Sequence, residues 1–531
     1  MITVNNLGLS YGAQKLFDRV DLQFSAGNCY GIIGANGAGK STFLKILSGE
    51  IEATSGHVDI SPKVRVSVLK QDQEMFNEHS VIETVLMGNT PLYECGQAKE
   101  AIYLKEDFSD EDGLRAAELE EEFAGLGGWE AESEIAQMLS GLGIPVPFHE
   151  KRMSELTGRQ KVKVLLAQAL FGRPDVILLD EPTNNLDIDS VVWLEDFLLD
   201  YEGTVLVVAH DRYFLNTVCT HIVDIDFGKI RLYVGNYDFW YESSQLMQKL
   251  AREQNKKRED KVRDLEEFIR RFSANKSKSR QATSRKKLLE KLTVDEMPAS
   301  SRRYPWVGFK PERELGKDIL AVNEVWKSLE GAPVLQDVSF LLGKGDKVAF
   351  IGENELAITT LFQILAQEME PDQGDIKWGV TTGRAYFPRD HSSYFLADMN
   401  LVDWMRQFSE DKKESFVRQF LGRMLFSGDD VYKQVGVLSG GEKVRCMLSK
   451  LMLSGANVLL LDQPTNHLDM ESIAALNNGL AAFPGIVLFT THDHQLIQTV
   501  ANRIIEFTAQ GTIIDRRMTY DEYVAARREK G

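Results

Sequence analysis

The sequence predicts an α/β protein built from two copies of one domain joined by a charged α-helical hairpin, and three observations predict it. The stretch NCYGIIGANGAGKSTFLKIL at 28–47 returns in altered form as DKVAFIGENELAITTLFQIL at 346–365. An apolar run closing in acid, ILLDEPTNNLD at 177–187, returns as LLLDQPTNHLD at 459–469. Within each copy, short β-rich runs alternate with helical ones, the pattern of a parallel sheet covered by helices with a helical subdomain attached.

The repeat sets the domain map. Gly34 and Gly352 stand 318 residues apart, as do Gln71 and Arg389, whereas Asp180 and Asp462 stand 282 apart. LTGRQ at 156–160 against LSGGE at 438–442 already has the shorter offset, so the first copy gains 36 residues between Gln71 and Leu156. The acidic, helix-forming segment at about 92–125 supplies them, read either as a short added arm or as a longer helical subdomain. The expected division is domain 1 at 1–245, a basic helical linker at 246–315 and domain 2 at 316–531.

Composition narrows the class. With 531 residues, 43% hydrophobic and 26% charged, the chain is long enough for several ordinary globular cores. No apolar run approaches the roughly 20 residues that span a bilayer, and the opening MITVNNLGLSYG does not read as a secretion signal. Cys29, Cys95, Cys219 and Cys446 form no CxxC pair, so zinc and a disulfide framework are not expected and a reducing cytoplasm fits. A net charge of −18 argues against a body that coats nucleic acid indiscriminately.

GANGAGKS at 34–41 matches GxxxxGK[ST] between a strand and a helix, the context a phosphate-binding P-loop needs. The loop Gly34, Ala35, Asn36, Gly37, Ala38, Gly39, Lys40, Ser41 and Thr42 can turn backbone N–H groups toward phosphate, aided by the positive end of the following helix. Lys40 is placed to reach the β- and γ-phosphates of ATP and the Ser41 hydroxyl to ligate Mg²⁺. At the end of the strand VILLD, Asp180 can hold the metal, directly or through water, and Glu181 can polarise the attacking water. His210, closing VLVVAH, falls where it can contact the γ-phosphate.

In this order (P-loop, LSGGE-type signature, acid-ending strand, histidine) the chain resembles ATP-binding cassette (ABC) ATPases. DEPTNNLD and DQPTNHLD in a fused pair resemble the ABC-F subfamily, and RFSANKSKSRQATSR at 271–285 with the short arm is similar to its YbiT-like branch. The resemblance implies two tandem P-loop ABC ATPase domains packed head to tail, each ATP held between one P-loop and the opposite signature. It implies that Gln71 serves as the Q-loop glutamine and a metal-side group, that Tyr11 stacks on adenine, and that Ser439, Gly440, Gly441 and Glu442 complete the first site.

The second copy departs from the pattern. Its loop reads GENELAIT at 352–359, keeping Gly352 and Thr359, followed by Thr360, but with Glu355 for Gly37, Ala357 for Gly39 and Ile358 for Lys40. Arg389 takes the Q-loop place, Leu329 the adenine place and Gln463 the place of Glu181, while Asp462 and His492 remain. An amide cannot take a proton from water. An introduced Glu→Gln change would account for Gln463 but not for Ile358, Arg389 and Leu329. The altered signature LTGRQ, with Arg159 for a glycine, pairs with this loop under head-to-tail packing, so the departures gather at one composite site. One hydrolytic site and one structural or regulatory site are expected.

The linker segment 249–292 holds 16 Lys/Arg and 7 Asp/Glu, a local +9 in an acidic chain. Val262, Leu265, Ile269 and Phe272 form a helical apolar stripe, with Leu288, Leu289 and Leu292 available on a partner helix. Composition alone fits equally a solvated joining hairpin or a phosphate-contacting tip, with Lys276, Lys278, Arg280 and Arg285 the RNA-contact candidates. The resemblance implies insertion of this hairpin at the ribosomal E site, against rRNA and the P-site tRNA, and a role in translation or ribosome protection. Two other readings stand beside it: a detached ATPase subunit of a transporter, and a DNA-associated ABC ATPase. No membrane partner and no sequence-specific DNA are expected.

Overall fold

The computed structural model describes residues 2–11, 14–35, 37–105, 107–184, 186–247, 249–250, 253, 302–352, 354–396 and 398–528. The linker tip, Asn36 and the terminal residues 529–531 lie outside the described residues.

Each copy folds on a six-stranded sheet. In the first, the strands run Val66–Val68, Val176–Asp180, Thr204–Val208, Asn28–Gly34, His221–Asp226, Lys229–Val234 across the sheet. All neighbours pair parallel except the last. The second copy repeats this order with Arg384–Phe387, Val458–Asp462, Ile486–Thr490, Lys347–Gly352, Arg503–Phe507 and Ile513–Arg516. A parallel strand covered on both faces needs apolar side chains on both, which is why VILLD and VLLLD are almost wholly buried. A three-stranded antiparallel sheet accompanies each copy, with Ile2–Tyr11 central in the first and Leu320–Leu329 in the second.

This order puts the P-loop strand beside the strand that ends in Val208, which in turn lies beside the one that ends in Asp180, so three carboxyl ends meet at one edge. Ligands bind at that edge in open α/β sheets. Between strand and signature of the first copy, the helices Thr90–Tyr103 and Asp110–Gly125 pack on each other. They cover most of the 92–125 segment, and Ser109 and Asp112 cap the second of them reciprocally. The four cysteines are free and buried. Cys29 and Cys219, 190 residues apart in sequence, bring their Sγ atoms to 3.8 Å where the strand Asn28–Gly34 runs beside His221–Asp226.

The copies touch through named side chains. The helices Arg212–Val218 and His494–Val500 pack together. Tyr213 meets Tyr520 edge-on at 5.9 Å between ring centres, and Arg527 Nη1 reaches Asp189 Oδ2 at 3.1 Å.

Candidate active site

The first loop keeps its shape because two glycines take φ values closed to most side chains. Gly37 stands at +80° and Gly39 at +98°, so the helix Lys40–Leu47 starts only at the lysine. Lys40 is buried, and its ammonium donates to Gly34 O at 2.9 Å and Ala35 O at 3.4 Å. Burial lowers its pKa, and the charges of Glu181, Glu471 and Asp180 pull it part of the way back. An ammonium held, among the described residues, only by loop carbonyls is ready for an anion. Ser41, Gln71 and Asp180 line one cavity of about 280 Å³ beside it.

Gln71 Nε2 donates to Asp180 Oδ2 at 3.0 Å, while Asp180 Oδ1 is buried with no hydrogen-bond partner among the described residues. A free buried carboxylate oxygen, next to an amide and a serine hydroxyl, fits a hard divalent cation such as Mg²⁺.

Glu181 follows with φ +53°, a left-handed backbone rare for a residue of its size, and its N–H bonds Val208 O at 2.8 Å. That turn swings its carboxylate to His210, whose N–H donates to Oε2 at 3.3 Å and whose Nε2 lies 3.3 Å from Oε1. Burial first, and the charge of Asp180 second, push the Glu181 carboxyl up to about 7. Burial and the nearby Lys40 push His210 down to about 4, so its ring is neutral at pH 7. A carboxyl poised near neutrality is tuned to accept a proton. Gln463 repeats the geometry in the second copy, with φ +54° and N–H to Thr490 O at 3.0 Å. Its amide Nε2 lies 3.2 Å from His492 Nε2.

Two models, both described as ABC transporter, match the chain: one at residues 17–184 and 335–466, the other at 223–306. An uncharacterized ABC transporter ATP-binding protein YkpA of Bacillus subtilis (strain 168) is 63% identical over 526 residues, covering 99% of this chain and 97% of YkpA. The probable ATP-binding protein YbiT of Escherichia coli O157:H7 is 42% identical over 528 residues, with 99% of each chain covered. The energy-dependent translational throttle protein EttA of Escherichia coli (strain K12) is 32% identical over 522 residues, 96% of this chain and 92% of its own. The chain belongs to the ABC-F subfamily of ATP-binding cassette proteins. As an ABC-F protein it binds ATP and is a P-loop ATPase. The likeness extends in fold to a solved archaeal ABCE1 in complex with stalk protein aP1, with TM-score 0.62 and 19% identity over 98% of this chain and 92% of that one. Among the described residues, no helix is long and apolar enough to cross a membrane.

The other ABC-F expectations fall as follows. Tyr11 ends the strand Ile2–Tyr11. Ser439, Gly440 and Gly441 open the helix Gly440–Leu453, and Ser439 and Glu442 cap each other: Glu442 Oε2 accepts from Ser439 N–H at 2.8 Å and Oγ–H at 2.7 Å. Glu442 therefore has a local structural use. Lys276, Lys278, Arg280 and Arg285 lie outside the described residues. Thr359 hydrogen-bonds Asp462, and Thr360 Oγ1 turns back to Leu356 O at 2.7 Å. Gly352, at φ +131°, lies so close to the next strand that a Cβ would sit 2.2 Å from Phe507 O.

Three groups near the first site are not among the residues the sequence assigned to it. Glu471 and Arg302 act on the charge of Lys40, and Asp469 on that of His210. Asp469 and Glu471 come from the second copy, at and just past the end of DQPTNHLD; that repeated acid-rich ending was the available signal.

Proposed function

We propose that this ABC-F protein hydrolyses ATP to ADP and phosphate at one composite site and uses that cycle on the ribosome, in translation or ribosome protection. The observation that carries the catalytic half is the buried Glu181 carboxyl beside neutral His210. In this reading Lys40 binds the β- and γ-phosphates, while the Ser41 hydroxyl, Asp180 and Gln71 stand on the metal side. Mg²⁺, when bound there, supplies Lewis-acid charge to the phosphates. Glu181 accepts the proton of the attacking water, His210 fixes the carboxylate and faces the γ-phosphate, and the signature residues Ser439, Gly440 and Gly441 close the site from the second copy. The second copy, with Gln463 for the base, does no hydrolysis.

The ribosomal half rests on the +9 linker segment and on EttA, a relative named for translation. The placement proposed is the E site, with the linker tip toward rRNA and the P-site tRNA. The fused domains and the basic linker weigh against a transporter subunit, and the lack of CxxC pairs against a DNA-repair ATPase. Co-sedimentation of the purified protein with ribosomes tests this. Replacing Lys276, Lys278, Arg280 and Arg285 by Gln is expected to weaken binding and lower its salt slope by about 1 per lost phosphate contact. Ribosome binding unchanged at every salt concentration, in a folded variant that still binds ATP, would remove the linker from this role.

A further inference from the structure

The second loop differs from the first in backbone as well as in side chains. Without glycines at the places of Gly37 and Gly39, it does not turn open. Asn354 caps it instead: its side chain accepts from Ala357 N–H at 3.0 Å, and its carbonyl accepts from Ile358 N–H at 3.3 Å. The helix Glu355–Leu365 therefore begins three residues earlier than its counterpart at Lys40. Amides that face phosphate in an open loop are consumed as helix and cap bonds. Ala357 and Ile358 are buried in the apolar core. Among the described residues of this loop, neither an open cradle nor an ammonium is left.

Where that cradle would open stands the Glu355 carboxylate, mostly buried, with partners from both copies. Arg159 of the LTGRQ signature bonds its Oε1 across the interface. His492 Nε2 lies 3.1 Å from the same oxygen, and Arg389 Nη1 donates to Oε2 at 2.7 Å. Burial would push this carboxyl up, yet the bonds and charge of His492 and Arg159 hold it well below the usual carboxylate range. The positions that converge here, signature, Q-loop and histidine, are the counterparts of Gly441, Gln71 and His210. All three reach for an anion, and the chain supplies one.

We infer that Glu355 stands in the second composite site in place of a nucleotide phosphate, so that this site takes no ATP and the two copies are clasped there by an ion cluster instead. The inference deepens the one-site reading above and is independent of ribosome binding. Arg159, an oddity in a signature, and Arg389, an oddity in a Q-loop, both acquire a use as cations for one carboxylate.

The test is nucleotide counting on the full chain with a slowly hydrolysed ATP analogue and Mg²⁺. One analogue per chain is expected, and none in Lys40→Ala. Two per chain, or one retained in Lys40→Ala, would overturn the inference. Two bound nucleotides with turnover abolished by Glu181→Gln would sink this inference alone; one bound nucleotide with turnover surviving that change would sink only the role of Glu181 as the base. A second measurement uses pyrophosphate as the probe. In Lys40→Ala/Glu355→Gln the cluster has lost its own anion, and pyrophosphate is expected to bind roughly tenfold tighter than to Lys40→Ala alone. Equal binding to the two proteins would show that Glu355 occupies no phosphate place.

Discussion

Glu181 and Gln463 share a left-handed backbone and the same hydrogen bond to the neighbouring strand, and differ by one proton-accepting atom. The second copy thus demonstrates that the amide is accommodated in this geometry. Glu181→Gln is therefore expected to fold, to keep ATP binding and to lose about 10²–10⁴-fold in turnover, the range for removing a general base. Steady-state hydrolysis beside analogue binding checks it; more than about a third of the activity retained would remove Glu181 from the role. Asp462 gives a second residue-scale expectation. Burial pushes its carboxyl up to about 6, with the Thr359 hydroxyl and Arg389 opposing and Glu355 adding to the rise. Tyr386 also lies within reach of its charge. A raised carboxyl pKa favours the folded state at low pH, and that contribution is lost as pH climbs from about 4 to about 6. Asp462→Asn should therefore gain stability relative to wild type across that window, by at most about 3 kcal/mol at about 1.4 per pKa unit. Denaturant titrations at pH 4 and pH 8 decide it: a difference independent of pH excludes an ionised, uncompensated Asp462.

At the scale of elements, strands and loops were legible because their signals are local. Four buried apolar residues ending in Asp, or glycines before a lysine, dictate their conformation wherever they occur. The helix-forming character of the acidic segment at about 92–125 was legible in the same way, and the helices Thr90–Tyr103 and Asp110–Gly125 cover most of it. The added helical turn at Glu355 was harder to see. In sequence, Glu355 and Ala357 stand out by charge and size, whereas their larger effect is to withdraw the φ > 0 conformations that keep the loop open. Asn354 before a run of helix formers carried the cap signal. This changes what repair requires. Ile358→Lys with Gln463→Glu restores an ammonium and a base, but puts the lysine inside a helix whose amides are already bonded. Turnover is expected to stay within about twofold of wild type, under about 0.5 kcal/mol in barrier. A larger rise would mean that the loop reopens around a single lysine, and phosphate-release assays of the double variant read this directly.

Across the whole molecule, the contacts between copies were the least legible feature, since no local pattern encodes which side chains meet across a packed interface. Head-to-tail pairing led to Arg159 and the second loop, but not to Arg302. This residue sits where the linker rejoins the folded body, its side chain almost wholly buried. Nη2 donates to Asp224 Oδ1 of the first copy at 2.5 Å, Nε lies 3.2 Å from Glu471 Oε1 of the second, and the guanidinium lies 4.4 Å from the Trp240 ring. Trp240 Nε1 also donates to Asp224, at 3.2 Å. One cation thus joins the linker to both copies, and both it and Glu471 act on the charge of Lys40. Removing one partner of a buried ion network leaves the others charged and dry, which costs about 3–5 kcal/mol. Arg302→Met keeps the apolar stem and should lose stability on that scale. Because Glu471 is then unopposed beside Lys40, ATP affinity should fall as well. Glu471→Gln added to Arg302→Met should recover part of both losses, since the stranded carboxylate is gone. Denaturant melts and analogue binding on the two single variants and the double form a cycle, in which coupling above about 1 kcal/mol marks residues acting as one network. Additive losses would reduce Arg302 to a packing residue, and would leave the linker without this electrostatic route to the ATP site.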